Sequence, residues 1–325
     1  MWDWLEGAGD VWWDGSNPIY GSKCVEKVKA FVRSESPDAI QAPRPAKVKL
    51  YMQGYIPRLP DFTYEQAAAN DEEFRKTWEA IAQACVDGGY TDCIFGSSET
   101  QTDSKPWMPS SDDIRSGRWK KAWMNMVDAV RSVMPEAKFA FVPLSGAQGG
   151  ENAEPDNGVL EKDEWHVAEK DAAGRPYMDF WGATFYFSTH ASGCGGDCPV
   201  TKEIIDQCME VVRAPAADCH TNWGFMGDIQ YAREKGIKLV IGELGIFDRF
   251  AVDRFYGMGD QPYAIDLLTQ LMADYAADIE LVCWFNSRGL ESQKKVWSRL
   301  DAESSMPNAA LRVRELWGPD SPYRK

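Results

Sequence analysis

No run of about eighteen consecutive apolar residues occurs in the 325-residue chain, so no segment reads as a membrane-spanning helix. Phosphate-cradling loops are also missing. Neither G-x-G-x-x-G nor G-x-x-x-x-G-K-[ST] follows any strand-like run, which argues against dinucleotide-binding and P-loop classes, and no cofactor is expected. Histidine is scarce. His166, His190 and His220 all fall in irregular regions, so neither a strand-borne Ser/His/Asp triad nor an H-E-x-x-H metal helix can be assembled. A formal charge of -15 with no compensating Lys/Arg cluster repels phosphate backbones and excludes nucleic acid as an expected partner. The N-terminal stretch "MWDWLEGAGDVWWDG" carries neither the basic start nor the apolar core of a secretory signal.

What the chain does have is apolar and aromatic bulk: 44% hydrophobic residues and 12% aromatic, enough for a sizeable core. Strand-like and helix-like runs alternate. "KVKLYMQG" reads as a strand; Phe74, Trp78, Ile81 and Cys85 then recur at helical spacing, and "TDCIFG" is the next strand. Trp119, Trp123, Met126, Val127 and Val130 mark a helix before the strand "KFAFVPL", and "YMDFWGATFYF" is another strand. Gly227 to Lys235 forms a short helix before Lys238-Leu239-Val240-Ile241. Ile265, Leu268, Met272 and Tyr275 form the next helix, "IELVCWFNS" the last strand, and residues 309 to 317 a terminal helix. With no Ser/Gly linker and no internal repeat, residues 1–325 read as a single domain. Strands at 48–53, 92–96, 139–142, 180–186, 238–242 and 280–284, each followed by a helix, predict a (β/α)8 barrel of parallel strands.

Active residues of such barrels sit at the C-terminal ends of strands. In "KGIKLVIGELGIFD" the apolar run ends at Gly242, and Glu243 follows on what reads as a strand-to-loop edge. A second strand, "CIFGSSETQTD", also ends in an acid, Glu99, followed by a polar loop with Asp103 and Trp107. Counting strands around an eight-stranded ring sets the two glutamates across the mouth from each other, able to converge over its axis. Glycoside hydrolysis needs such a pair: one carboxylic acid protonates the leaving oxygen while a carboxylate attacks or activates water. Tyr186, ending its strand, is in place to hydrogen-bond Glu243 and keep it ionised and oriented, and Trp284 to stack under a sugar ring. Each aromatic taken singly is equally well a core residue. His190 lies just past Tyr186, at the mouth or on a surface loop.

Cys85, Cys93 and Cys283 lie in apolar stretches and read as core, whereas Cys194, Cys198, Cys208 and Cys219 crowd one irregular region, 190–220. "GCGGDCPV" with the two later cysteines is compatible with disulfides, favoured here, with free thiols, or with a structural zinc site, although the spacing fits no standard zinc ribbon and no metal ligand is assigned.

The order of Glu99, "RSGRWKKAWMNMVDAVRSVMPEAKFAFVP", "YMDFWGATFYF" and "GIKLVIGELG" resembles glycoside hydrolase family 26, the β-mannanase type of the clan of retaining barrel enzymes, over residues 47 to 290. The resemblance implies Glu99 as acid/base, Glu243 as nucleophile, Tyr186 as the tyrosine contacting the nucleophile, Trp284 as platform and Asp179 as a structural acid at a strand start. It departs at the flanks of Glu99, where Ser98 precedes and Thr100-Gln101 follow. It also makes "KVKLYMQG" the third strand, so residues 1 to 46 must supply two more; "GDVWWD" serves as the second, leaving an atypical or missing first strand. The 190–220 stretch becomes an enlarged loop between the sixth and seventh strands. The expectation is a retaining endo-type glycosidase acting by double displacement on a β-linked, mannan-like polysaccharide, and hence outside the cell. The alternative is a barrel that binds carbohydrate without cleaving it, as an adhesion or phage-type structural module.

Overall fold

The computed structural model describes residues 50–54, 56–59, 61–97, 108–143, 161–189, 199–246, 257–284 and 306–317. They fall into two compact units, one holding the described residues up to 180 and the other those from 181 onward.

The first unit contains β1 (Leu50–Gly54), α1 (Tyr64–Ala68), α2 (Glu72–Asp87), β2 (Cys93–Ser97), α3 (Ser111–Arg115), α4 (Arg118–Val133), β3 (Lys138–Phe141) and α5 (Lys162–Trp165). Both β1–β2 and β2–β3 are parallel, with Leu50 opposite Cys93 and Ile94 opposite Lys138, as the strand-helix alternation requires. Local chemistry starts the helices. Thr63 and Ser110 close capping boxes with Gln66 and Asp113, and the Asp71 carboxylate accepts the Glu73 N–H. The apolar residues then fall on one face: Phe74, Trp78, Ile81 and Cys85 of α2 and Trp119, Trp123, Met126, Val127 and Val130 of α4 are all buried. Every residue of β2 is buried too, as in a strand covered on both faces. Gly96 in that strand makes room for its neighbour, since a Cβ there would lie 2.3 Å from the Tyr51 hydroxyl.

Tryptophan is the main filler of this core. Trp119 stacks on Trp123 at 5.4 Å and meets Phe141 and Trp165 edge-on at 5.2 and 5.5 Å, with no side chain of the four exposed. Behind them lies a buried ionic network. Asp179 Oδ2 accepts the Phe139 N–H at 2.9 Å and an Arg131 N–H at 3.0 Å, while the other arm of Arg131 reaches Asp171 at 3.2 Å and the Pro176 carbonyl at 2.9 Å. Burial pushes the Asp179 carboxyl up, and Arg131 and Lys138 oppose the shift. Asp179 is thus engaged with the fold. Arg131→Ala would take the shared cation from two buried carboxylates, leaving Asp171 with Arg175 at 2.7 Å and Asp179 with Lys138 at 3.4 Å, and removing one partner from a buried network costs about 3–5 kcal/mol. A urea midpoint lowered by less than about 1 kcal/mol equivalent would show that the network contributes little.

The second unit contains β4 (Phe180–Phe187) from Trp181 onward, α6 (Lys202–Arg213), α7 (Phe225–Lys235), β5 (Lys238–Ile246), α8 (Pro262–Asp274), β6 (Ile279–Trp284) and α9 (Pro307–Trp317). The strands follow in chain order, and β5 and β6 are parallel. Trp181, Phe185 and Phe187 alternate along β4 on one face, where Trp181 packs 4.7 Å from Tyr231 and Phe185 5.2 Å from Phe225, both in α7. The Trp181 indole N–H donates to buried Asp228 at 3.0 Å. Gly227 permits the close approach of the preceding turn, for a Cβ there would lie 2.1 Å from the Asn222 carbonyl oxygen.

The six predicted strands all exist, with starts and ends shifted by two residues at most except in β5, which runs four residues past the expected end to Ile246. The strand expected at "GDVWWD" and the first strand of an eight-stranded ring lie outside the described residues. Among the described residues no helix is long and apolar enough to cross a membrane.

Candidate active site

The strand carrying Glu243 corrects the expectation that its acid sits on a strand-to-loop edge. Leu244 and Ile246 are buried beyond it, and Leu244 pairs with Trp284, so apolar burial and ladder pairing carry β5 onward. How, then, is a carboxylate admitted? Ile241 pairs with Val282 and Leu244 with Trp284, so three steps along β5 match two along β6. The additional residue is a β-bulge at Gly242-Glu243, and bulges re-aim a side chain at the cost of local pairing. Glu243 is half-buried between buried Gly242 and buried Leu244.

Tyr186 reaches the same point from β4. Its hydroxyl donates a short hydrogen bond to Glu243 Oε2, the contact expected from the sequence. Alternation along β4 explains the direction: Trp181, Phe185 and Phe187 face the helix side, so Tyr186 and Thr184 take the opposite face. Tyr186 is 6% exposed, and its ring cannot swing away without leaving the core. A hydrogen bond to a charged acceptor contributes about 1.5–3 kcal/mol. If Glu243 acts on a substrate, Tyr186→Phe is expected to lower kcat about 10- to 100-fold while KM moves little, and an unchanged kcat on any cleaved substrate would remove Tyr186 from the site.

Cys283 on β6 feels the same carboxylate. Burial first, and then the negative charge of Glu243, push its thiol up to about 12, so it stays protonated at neutral pH. The sequence placed Cys283 in the core without linking it to Glu243. Trp284 is 7% exposed and meets Trp317 edge-on at 6.1 Å, and its indole N–H has no partner among the described residues.

Glu99, Asp103, Trp107 and His190 lie outside the described residues, as do Cys194 and Cys198. Of the other two clustered cysteines, Cys208 is buried on α6 and Cys219 is half-buried on the turn before α7, and no disulfide joins them.

No family model and no curated protein sequence matches the chain. Solved structures similar to it include a GH5-4 broad-specificity endoglucanase from an uncultured bacterium, at 14% identity over 90% of this chain and 75% of that one, TM-score 0.43. A GH26 β-mannanase from Bacteroides ovatus is similar at 14% identity over 76% of this chain and 58% of that one, TM-score 0.43. An endo-β-1,4-mannanase from Thermotoga petrophila is similar at 13% identity over 93% of this chain and 63% of that one, TM-score 0.45. The chain therefore spans less than two thirds of the length of either mannanase.

Proposed function

We propose that the chain is a (β/α)8-barrel glycoside hydrolase that cleaves a β-linked, mannan-like polysaccharide with retention of configuration, Glu243 being the nucleophile and Glu99 the acid/base. The observation that carries this reading is the bulged-strand carboxylate of Glu243 held by the Tyr186 hydroxyl. A carboxylate held through Oε2 by the Tyr186 hydroxyl, with a protonated thiol beside it, is suited to attack carbon rather than to take up a proton.

In the first step Glu243 forms a bond to the anomeric carbon as the glycosidic C–O bond breaks and the Glu99 proton passes to the leaving oxygen. In the second, Glu99 takes a proton from water, whose oxygen displaces Glu243 from the sugar. The two inversions give net retention. This chemistry needs the carboxyl groups about 5–5.5 Å apart, too close for an intervening water. Trp284 and Trp107 are assigned to sugar stacking and Asp103 and His190 to the polar rim. A polymeric substrate puts the site of action outside the cell.

The test is hydrolysis of a panel of mannans, xylans and β-glucans by the full chain, with the first anomer formed followed by proton NMR. A first-formed β-anomer is expected. A first-formed α-anomer would indicate an inverting enzyme, and retention on an affinity gel without release of sugar would favour the non-cleaving carbohydrate-binding module.

A further inference from the structure

The face of β4 that presents Tyr186 ends in a hydroxyl that the fold leaves unpaired. Trp181, Phe185 and Phe187 turn to the helix side, so Thr184, Tyr186 and Ser188 share the other face. The backbone at Ser188 stays extended through an antiparallel bridge to Gly257, and the alternation therefore carries through to its side chain. Ser188 stands two residues beyond Tyr186, about 6.6 Å further toward the C-terminal end of the strand. A parallel α/β barrel places its substrate at that end.

Ser188 is 2% exposed, and its Oγ has no hydrogen-bond partner among the described residues. Other buried hydroxyls are paired. Ser97 Oγ, ending β2, donates to the Val142 carbonyl at 3.1 Å and accepts the Val142 N–H at 2.7 Å. Thr269 Oγ1 donates to the Ile265 carbonyl at 2.8 Å and accepts the Trp317 indole N–H at 2.7 Å. A buried hydroxyl without a partner destabilises the free protein, so its presence calls for a partner that arrives later. Alanine would fill nearly the same space with no polar atom to satisfy, and packing alone gives the oxygen no role.

In the free chain this oxygen is closed to solvent. The segment that bridges to Ser188 is Gly257-Met258-Gly259, in which Met258 is 1% exposed and Gly259 is left-handed at φ 67°, a conformation glycine adopts without strain. Its pairing with β4 is one isolated bridge among the described residues. Little pairing is lost when such a segment lifts, and glycines on both sides of the methionine let the backbone absorb the change.

Resting on the glycosidase reading above, we propose that Ser188 is a specificity-determining residue of the same site. When the 257–259 segment lifts, its hydroxyl donates to one hydroxyl of the sugar ring bound against Glu243. A site built around such a bond disfavours a sugar lacking that hydroxyl, because the serine is then left buried and unpaired.

The experiment compares the full chain with its Ser188→Ala variant. Without ligand, the urea midpoint of Ser188→Ala should equal or exceed that of the parent, since no hydrogen bond is lost. A lower midpoint would show that the hydroxyl is paired within the fold and would overturn the proposal. Activity is then read as kcat/KM on the dinitrophenyl β-bioside of the sugar cleaved in the polysaccharide panel, β-mannobioside on the present reading, and on analogues each lacking one hydroxyl of the ring that bears the dinitrophenyl group. Ser188→Ala should lower kcat/KM about 10-fold on the complete bioside and on every analogue but one. On that one the parent is already slowed, and the two proteins should agree within about 2-fold. Equal values on every substrate, or the same loss on all of them, would overturn the role of Ser188 and leave the glycosidase reading standing. If the parent cleaves neither polysaccharide nor dinitrophenyl glycoside, the glycosidase reading fails and the proposal falls with it.

Discussion

On the proposed mechanism Glu243→Ala is expected to lose turnover by on the order of 10⁵-fold, because removing the proposed nucleophile deletes the covalent intermediate rather than weakening one contact. Loss of activity alone would not distinguish this from misfolding. Azide does. Truncation leaves a gap on the face of the sugar that the carboxylate attacks, and azide is small enough to enter it. The azide nitrogen then bonds to the anomeric carbon as the glycosidic bond breaks and Glu99 gives its proton to the leaving oxygen, so a β-linked substrate yields an α-glycosyl azide. Recovery of rate in azide with that inverted product identifies Glu243 as the attacking group. The fold should survive, since Glu243 is half-buried and its loss takes an anion away from Cys283, whose thiol that charge helps to push up. Unchanged activity in Glu243→Ala would dispose of the mechanism.

The strand-helix alternation was legible because each element repeats a local rule. Period-2 or fully apolar runs gave β1 to β6, and 3.6-residue spacing gave α2, α4 and α8. The end of β5 was not legible, since Leu244 pairs with Trp284 on another strand and a bulge depends on the partner's register as well as on Gly242. Tyr186 and Glu243 could be matched because both lie near the same end of neighbouring strands. Tryptophan was sorted only in part from sequence: the helical spacing of Trp119 and Trp123 with Met126, Val127 and Val130 set them on the buried face of α4, whereas Trp165, which joins them with no exposure, stands in no such pattern. Likewise Arg131 meets Asp171 and Asp179 across 40 and 48 positions, beyond any local pattern. The cysteine cluster drew attention to Cys219, but its partner Glu234 comes from the far end of a helix and carried no signal of its own.

Glu99→Ala is expected to give a loss that depends on what leaves. A general acid contributes about 10²–10⁴-fold, and all of that is needed when the departing group is a sugar hydroxyl, which leaves poorly as an anion. On the polysaccharide, kcat/KM should therefore fall by on the order of 10³-fold or more. An aryl glycoside with an acidic phenol needs no such proton, so its first step should keep nearly the parent rate. The glycosyl-enzyme then accumulates, because the residue that would deprotonate the attacking water is also gone, and a burst of phenol should precede a slow steady state. Azide needs no base and should accelerate that second step. Here Glu243, the proposed nucleophile, is intact, so two inversions are expected and the product should be the β-glycosyl azide, the opposite anomer from that expected of Glu243→Ala. The pair of products assigns the two roles without any measured distance between the carboxylates. If Glu99→Ala loses as much on the activated aryl substrate as on the polymer, Glu99 is not the acid, and another group must protonate the leaving oxygen.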